Sequence, residues 1–80
     1  MTIDEAISSL TDRIKSVSPD VVIRIQRRAD SASIRAYAQA DHEEPIKDAT
    51  RDMTLNLMIN DGIDVQVLVY DIATSLPPEE

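Results

Sequence analysis

Gly62-Ile63-Asp64-Val65-Gln66-Val67-Leu68-Val69-Tyr70-Asp71-Ile72 is the stretch on which the fold turns. Ile63, Val65, Val67 and Val69 recur at every second position, the spacing that sets side chains on one face of a strand. Leu68, Tyr70 and Ile72 add apolar surface to the other face, so this strand is expected to be covered at least partly on both sides. The remaining segments read as pieces that pair with it or pack against it.

The segment just before it, residues 41–61, has two readings. Asp41-His42-Glu43-Glu44-Pro45 looks like a helix start, since carboxylates suit the positive end of a helix dipole and proline suits the first turn. Ile46, Ala49, Met53 and Leu57 continue as a helical stripe, and Gly62 stands where a C-terminal cap belongs. Met53 to Asn60 also nearly alternates, however, and Asn60-Asp61-Gly62 is a hairpin signal. The alternative is therefore a fourth strand over 53–60, hairpinned to 63–72. Stripe, proline and glycine favour the helix. Its cost is that Leu55, Met58 and Ile59 then fall on an otherwise solvated face.

Farther upstream, residues 21–28 and 32–40 read as a β-hairpin closed by the polar turn Ala29-Asp30-Ser31. Val21, Ile23 and Ile25 share one face with Ile34, Ala36, Ala38 and Ala40. Val22, Arg24, Gln26 and Arg28 share the other with Ser33, Arg35, Tyr37 and Gln39. Residues 3–17 form an amphipathic helix on the stripe Ile3, Ala6, Ile7, Leu10, Ile14 and Val17. Thr2 and Glu5 have capping-box spacing, and Pro19 ends the helix.

The expected fold is an α+β two-layer sandwich of order α-β-β-α-β, with both helices on one face of a three-stranded sheet. The last strand can lie beside either member of the hairpin. Residues 1–74 are expected to form one domain and 75–80 a flexible tail. The order of elements resembles that of small αββαβ modules such as the cytosolic domain of cation-efflux transporters. That likeness is one of topology alone, without a shared motif, and implies no function.

Composition narrows the functional classes. Eighty residues without Cys, Phe or Trp must build a core from Ile, Val, Leu, Met and Ala, a size at which small domains often gain stability by oligomerising. No apolar run approaches the roughly 18 residues of a membrane span. The first residues lack the basic and apolar regions of a signal peptide, so the expected location is cytoplasmic. The net charge is −7, and it is unevenly spread. Residues 21–40 carry four Arg against Asp30 alone, whereas most of the carboxylates lie beyond residue 40. Broad nucleic-acid binding driven by phosphate neutralisation is disfavoured.

Three clusters carry candidate chemistry. Asp41-His42-Glu43-Glu44 concentrates carboxylates beside the only His, but adjacent residues rarely converge on one metal ion. Helix capping is the expected role, and neither metal nor cofactor is expected. The hairpin's outer face, Arg24, Gln26, Arg28, Arg35, Tyr37 and Gln39, offers planar cations and a stackable ring. It is expected to be an ordinary solvated face or a surface for an acidic partner. The surplus apolar residues Leu55, Met58, Ile59, Leu68 and Ile72 are expected to form an interface, with a second copy or with another protein.

Enzymatic readings lack anatomy: Gly62 is the only Gly, and no nucleophile stands in a recognisable context. The leading expectation is a non-enzymatic interaction or oligomerisation module. Nucleic-acid binding through the Arg/Tyr face is the alternative. A third possibility is an acidic mimic that blocks a basic site on a partner.

Overall fold

The computed structural model describes residues 2–74, so the tail expected over 75–80 lies outside the described residues. Helix α1 (Ile3–Val17) is followed by strands β1 (Val22–Arg27) and β2 (Ser31–Ala38), helix α2 (Glu43–Asn56) and strand β3 (Asp64–Asp71). Two short turns flank α2: a 3₁₀ turn, Ala40–His42, leads into it, and a π turn, Leu57–Asp61, ends it. Among the described residues no helix is long and apolar enough to cross a membrane.

The capping box at α1 has both arms. The Glu5 amide donates to Thr2 Oγ1 at 3.2 Å, and the Thr2 amide donates to Glu5 Oε1 at 2.9 Å. Two of the helix's orphan N–H groups are thereby satisfied. At the other end the Ser18 amide donates to the Ile14 carbonyl before Pro19 turns the chain.

The sheet order is β1-β2-β3, with β1 antiparallel and β3 parallel to the central β2. This settles which hairpin strand neighbours β3. A parallel pair needs a crossover connection, and α2 supplies it. Ile23, Ala36 and Val69 form one cross-strand row, and Ile25, Ile34 and Val67 the next, on the side the helices cover. The core joins these rows to Ala6, Ile7, Leu10 and Ile14 of α1 and to Ile46 and Leu57. Three buried alanines of β2, at 32, 36 and 38, keep the central strand thin where the helices approach. Burying a side chain such as Leu10 or Ile34 stabilises by roughly 1.5–3 kcal/mol.

Residues 53–60 are helical, which overturns the fourth-strand alternative. Ile46 and Leu57 find a core to enter, and Gly62 takes φ +65°, a left-handed conformation that favours glycine. The hairpin differs in detail from its expected bounds. Ser31 already belongs to β2, and the strand ends at Ala38, so Gln39 and Ala40 leave the sheet and are exposed. They leave it because the 3₁₀ turn starts there, with the His42 amide donating to the Gln39 carbonyl at 2.9 Å.

Candidate functional site

Helix α2 and the π turn that ends it carry two stripes. One, through Ile46, Met53 and Leu57, enters or borders the core. The second, through Lys47, Thr50, Arg51, Thr54, Leu55 and Met58, recurs at steps of three and four and faces β3. With Asp64 to Leu68 of β3 it lines an open groove. Thr50 and Thr54 close off their own polarity. Their hydroxyls donate to the Ile46 carbonyl at 3.0 Å and the Arg51 carbonyl at 2.9 Å. The two cations are also engaged within the helix, Lys47 with Glu43 at 2.8 Å and Arg51 with Asp48 at 3.2 Å. The hydrogen bond to Glu43 raises the Lys47 pKa above its ordinary 10.5. The apolar content of the groove therefore comes from Leu55, Met58, Val65, Val67 and Leu68.

Beside this groove runs the open edge of β3. The Ile72 amide donates to the Ala38 carbonyl at 2.9 Å, extending the parallel ladder by one bond. Counting back in twos, Tyr70, Leu68 and Gln66 turn their backbone groups toward β2. Val65, Val67 and Val69 turn theirs away from it. Among the described residues no further strand receives them. Leu68 belongs to the face of the sheet away from the helices, in the row of Arg24 and Arg35. Leu55 and Met58 lie on the helix side. The open edge is thus flanked by apolar side chains above and below, with Leu55, Met58 and Leu68 exposed at 53%, 55% and 37%.

The five apolar residues singled out from sequence are therefore not one patch. Leu55, Met58 and Leu68 converge on the groove. Ile59, 73% exposed, sits in the π turn. In that turn the amides of Gly62 and Ile63 both reach the Leu57 carbonyl, which widens the backbone and leaves Met58 and Ile59 outside. Ile72 lies past the far end of β3, half-buried, and is not among the residues that line this groove. Sequence reading missed the groove's threonines, Lys47 and Arg51. The second helical stripe was their signal, and it is masked by polar residue types.

The face away from the helices carries Arg24, Gln26, Arg35 and Tyr37, with Arg28 just beyond β1, where its amide donates to the Ser31 carbonyl at 2.9 Å. Gln39 does not join them, for the reason given above. Tyr37 stacks on Tyr70, with centroids 5.2 Å apart and planes at 21°. Tyr37 is only 5% exposed, so its ring is already occupied. Arg24 and Arg35 are direct cross-strand partners of like charge. The buried Nε of Arg35 has no hydrogen-bond partner among the described residues.

At the start of α2 the expectation of carboxylate capping needs correction. His42 holds the cap position and makes no side-chain bond to the helix amides. Its Nδ1 lies 2.8 Å from Ser18 Oγ instead, tying the end of α1 to the start of α2. Glu43 and Glu44 occupy the first turn, where their charge complements the dipole. Among the described residues no three His, Cys, Asp or Glu side chains converge as a metal site requires. Comparison with protein-family models, with curated proteins and with solved structures gave no match.

Proposed function

We propose that this chain is a cytoplasmic, non-enzymatic module that works by assembly, through the open edge of β3 and the groove beside it. The observation that carries this is the convergence of a strand edge unpaired among the described residues with Leu55 and Met58 on one side and Leu68 on the other. Edge strands of stable monomers are commonly guarded by lysine, proline, a bulge or a covering loop. Strand β3 has neither lysine nor proline along its length. Strand addition supplies main-chain hydrogen bonds for affinity and side-chain pockets for specificity. The test is native mass by light scattering over a range of concentrations, on the wild-type chain and on Leu55→Ser/Met58→Ser. An assembly lost in the variant, with far-ultraviolet circular dichroism unchanged, supports the module. Loss of the fold in the variant would show these side chains to be core and sink the claim.

A second reading rests on Arg35, whose Nε has no hydrogen-bond partner among the described residues, since a guanidinium suits an anionic group such as a nucleic-acid phosphate. The occupied Tyr37 ring and the acidic balance of the chain weigh against base stacking there. This reading expects salt-sensitive binding of single-stranded nucleic acid that weakens in Arg24→Gln/Arg35→Gln. Absence of binding at low salt removes it.

A further inference from the structure

We infer that the strand received by β3 is the β3 of a second copy, antiparallel, with Val67 opposite its own counterpart, so that two sheets become one of six strands. This rests on the reading of the β3 edge as the interaction surface and goes beyond it by naming partner, direction and register.

Direction follows from closure. An antiparallel pair of identical strands is related by a two-fold axis and buries both edges, which leaves nothing to extend. A parallel pair of these same two edges would put the helices of the two copies on opposite faces of the joined sheet.

Register follows from charge and face. A slip by one residue between the copies puts helix-side residues opposite outer-face ones, so only pairings centred on a residue keep both layers intact. Centring on Val67 sets Val65 opposite the second copy's Val69 and Gln66 opposite its Leu68. Asp64 then faces a Tyr70, and Asp71 faces an Ile63 at the strand's end. The outward backbone groups of Val65, Val67 and Val69 fall in the hydrogen-bonded positions. The second copy's Val69 enters the side of the groove that Leu55 and Met58 line, and the symmetry repeats this contact.

Neighbouring registers are worse. Centring on Gln66 brings Asp61 against Asp71. Centring on Leu68 sets Asp71 against Val65, and centring on Val69 sets it against Val67, each time bringing a carboxylate against the valines within the strand rather than against Ile63 at its end. Only the Val67 register faces no carboxylate with another and leaves the valine row unbroken.

The chain has no Cys, so single cysteine substitutions give a clean readout of register. Opposed residues of an antiparallel pair centred on Val67 stand about 5.5 Å apart at Cα, within disulfide reach. Val67→Cys is expected to form a covalent dimer on mild oxidation. Val69→Cys alone is not, since its counterpart then lies about four residues along the strand, roughly 13 Å away. Circular dichroism and native mass under reducing conditions check that both variants keep the fold and the assembly. In parallel, Leu55→Ser/Met58→Ser is expected to raise the dimer dissociation constant at least about tenfold.

A dimer that cross-links at 67 and not at 69 supports the inference. A dimer sensitive to Leu55→Ser/Met58→Ser that cross-links elsewhere, or not at all, overturns the register while the assembly reading stands. A purified chain that stays monomeric at millimolar concentration overturns the second copy. If it nevertheless runs in a larger complex in its native extract, and the groove variant abolishes that complex, the assembly reading survives with a different partner. A monomer in both settings overturns both.

Discussion

The sheet has two edges, and they are built differently. Strand β1 spans Val22–Arg27, carries Arg24 and Arg27 along its length, and is followed by Arg28. Its Arg27 also reaches Asp4 at 3.2 Å, which pins the start of α1 beside the end of the strand. Strand β3 is longer, Asp64–Asp71, with charges only at its ends and the backbone groups of three valines turned to the open edge. On the proposed reading, the charges along β1 guard one edge and the other is the edge left for a partner. An edge is thus made available or closed by a few side chains, independently of the backbone it shares with the rest of the sheet.

The largest effect expected is one that removes both edges together. Ile34 is fully buried at the centre of β2, and Ile34→Ala is expected to cost about 2–5 kcal/mol, near the whole stability of a domain this small. Urea denaturation followed by circular dichroism checks it; a cost below about 1 kcal/mol would mean that β2 is not the centre of the core.

Next come substitutions that trade the two edges' characters. Val67→Lys places an inward charge on the open strand and is expected to weaken assembly by at least about tenfold while the monomer stays folded. Arg24→Thr with Arg28→Thr is expected to have the opposite sign, producing larger species at high concentration as β1 loses its guard. Sedimentation velocity on the four combinations reads both; equal behaviour of the two edges would dissolve the contrast.

The smallest effect lies away from both edges. Thr2→Ala removes one arm of the α1 capping box and is expected to cost about 1 kcal/mol, with assembly unchanged at matched folded concentration. Thr2, through its amide and its hydroxyl, holds the Glu5 carboxyl below its ordinary 4.5. A carboxyl whose pKa is lower folded than unfolded contributes stability above the unfolded value, and that contribution is lost as pH falls through the folded one. The fall in stability on acidification below about pH 4.5 should therefore be shallower in Thr2→Ala than in wild type, measured as urea midpoints across that range.

Local rules made much of this legible. Thr2, Glu5 and Pro19 mark α1 because capping and proline sterics act within a few residues. The alternation of Val65, Val67 and Val69 gives their face for the same reason. Strand order was not local: either hairpin member could have neighboured β3, and only packing under two helices decides it. A signal existed in Ala32, Ala36 and Ala38, since small side chains suit the strand over which helices cross, whereas the arginines of β1 suit an edge. The π turn was invisible because Leu57 to Asp61 obeys ordinary helical preferences, and the widening arises from fitting Gly62 and Ile63 onto one carbonyl. The convergence of Leu55 with Leu68 depends on that same crossover, so hydrophobicity alone groups Ile59 and Ile72 with them.

The parallel pairing of β3 with β2 has a kinetic consequence. Helix α1 and the hairpin can form from nearby contacts, but β3 reaches β2 only after all of α2 has been threaded back across the sheet, so its loop-closure entropy is spent late. During that interval β2 itself has an apolar flank without a neighbour. At high concentration a β3 from another chain can reach that flank first, with the widened turn at Leu57–Asp61 as the hinge about which the strand would swing. The connection that builds the sheet is in this way also the point at which two folding chains can exchange strands.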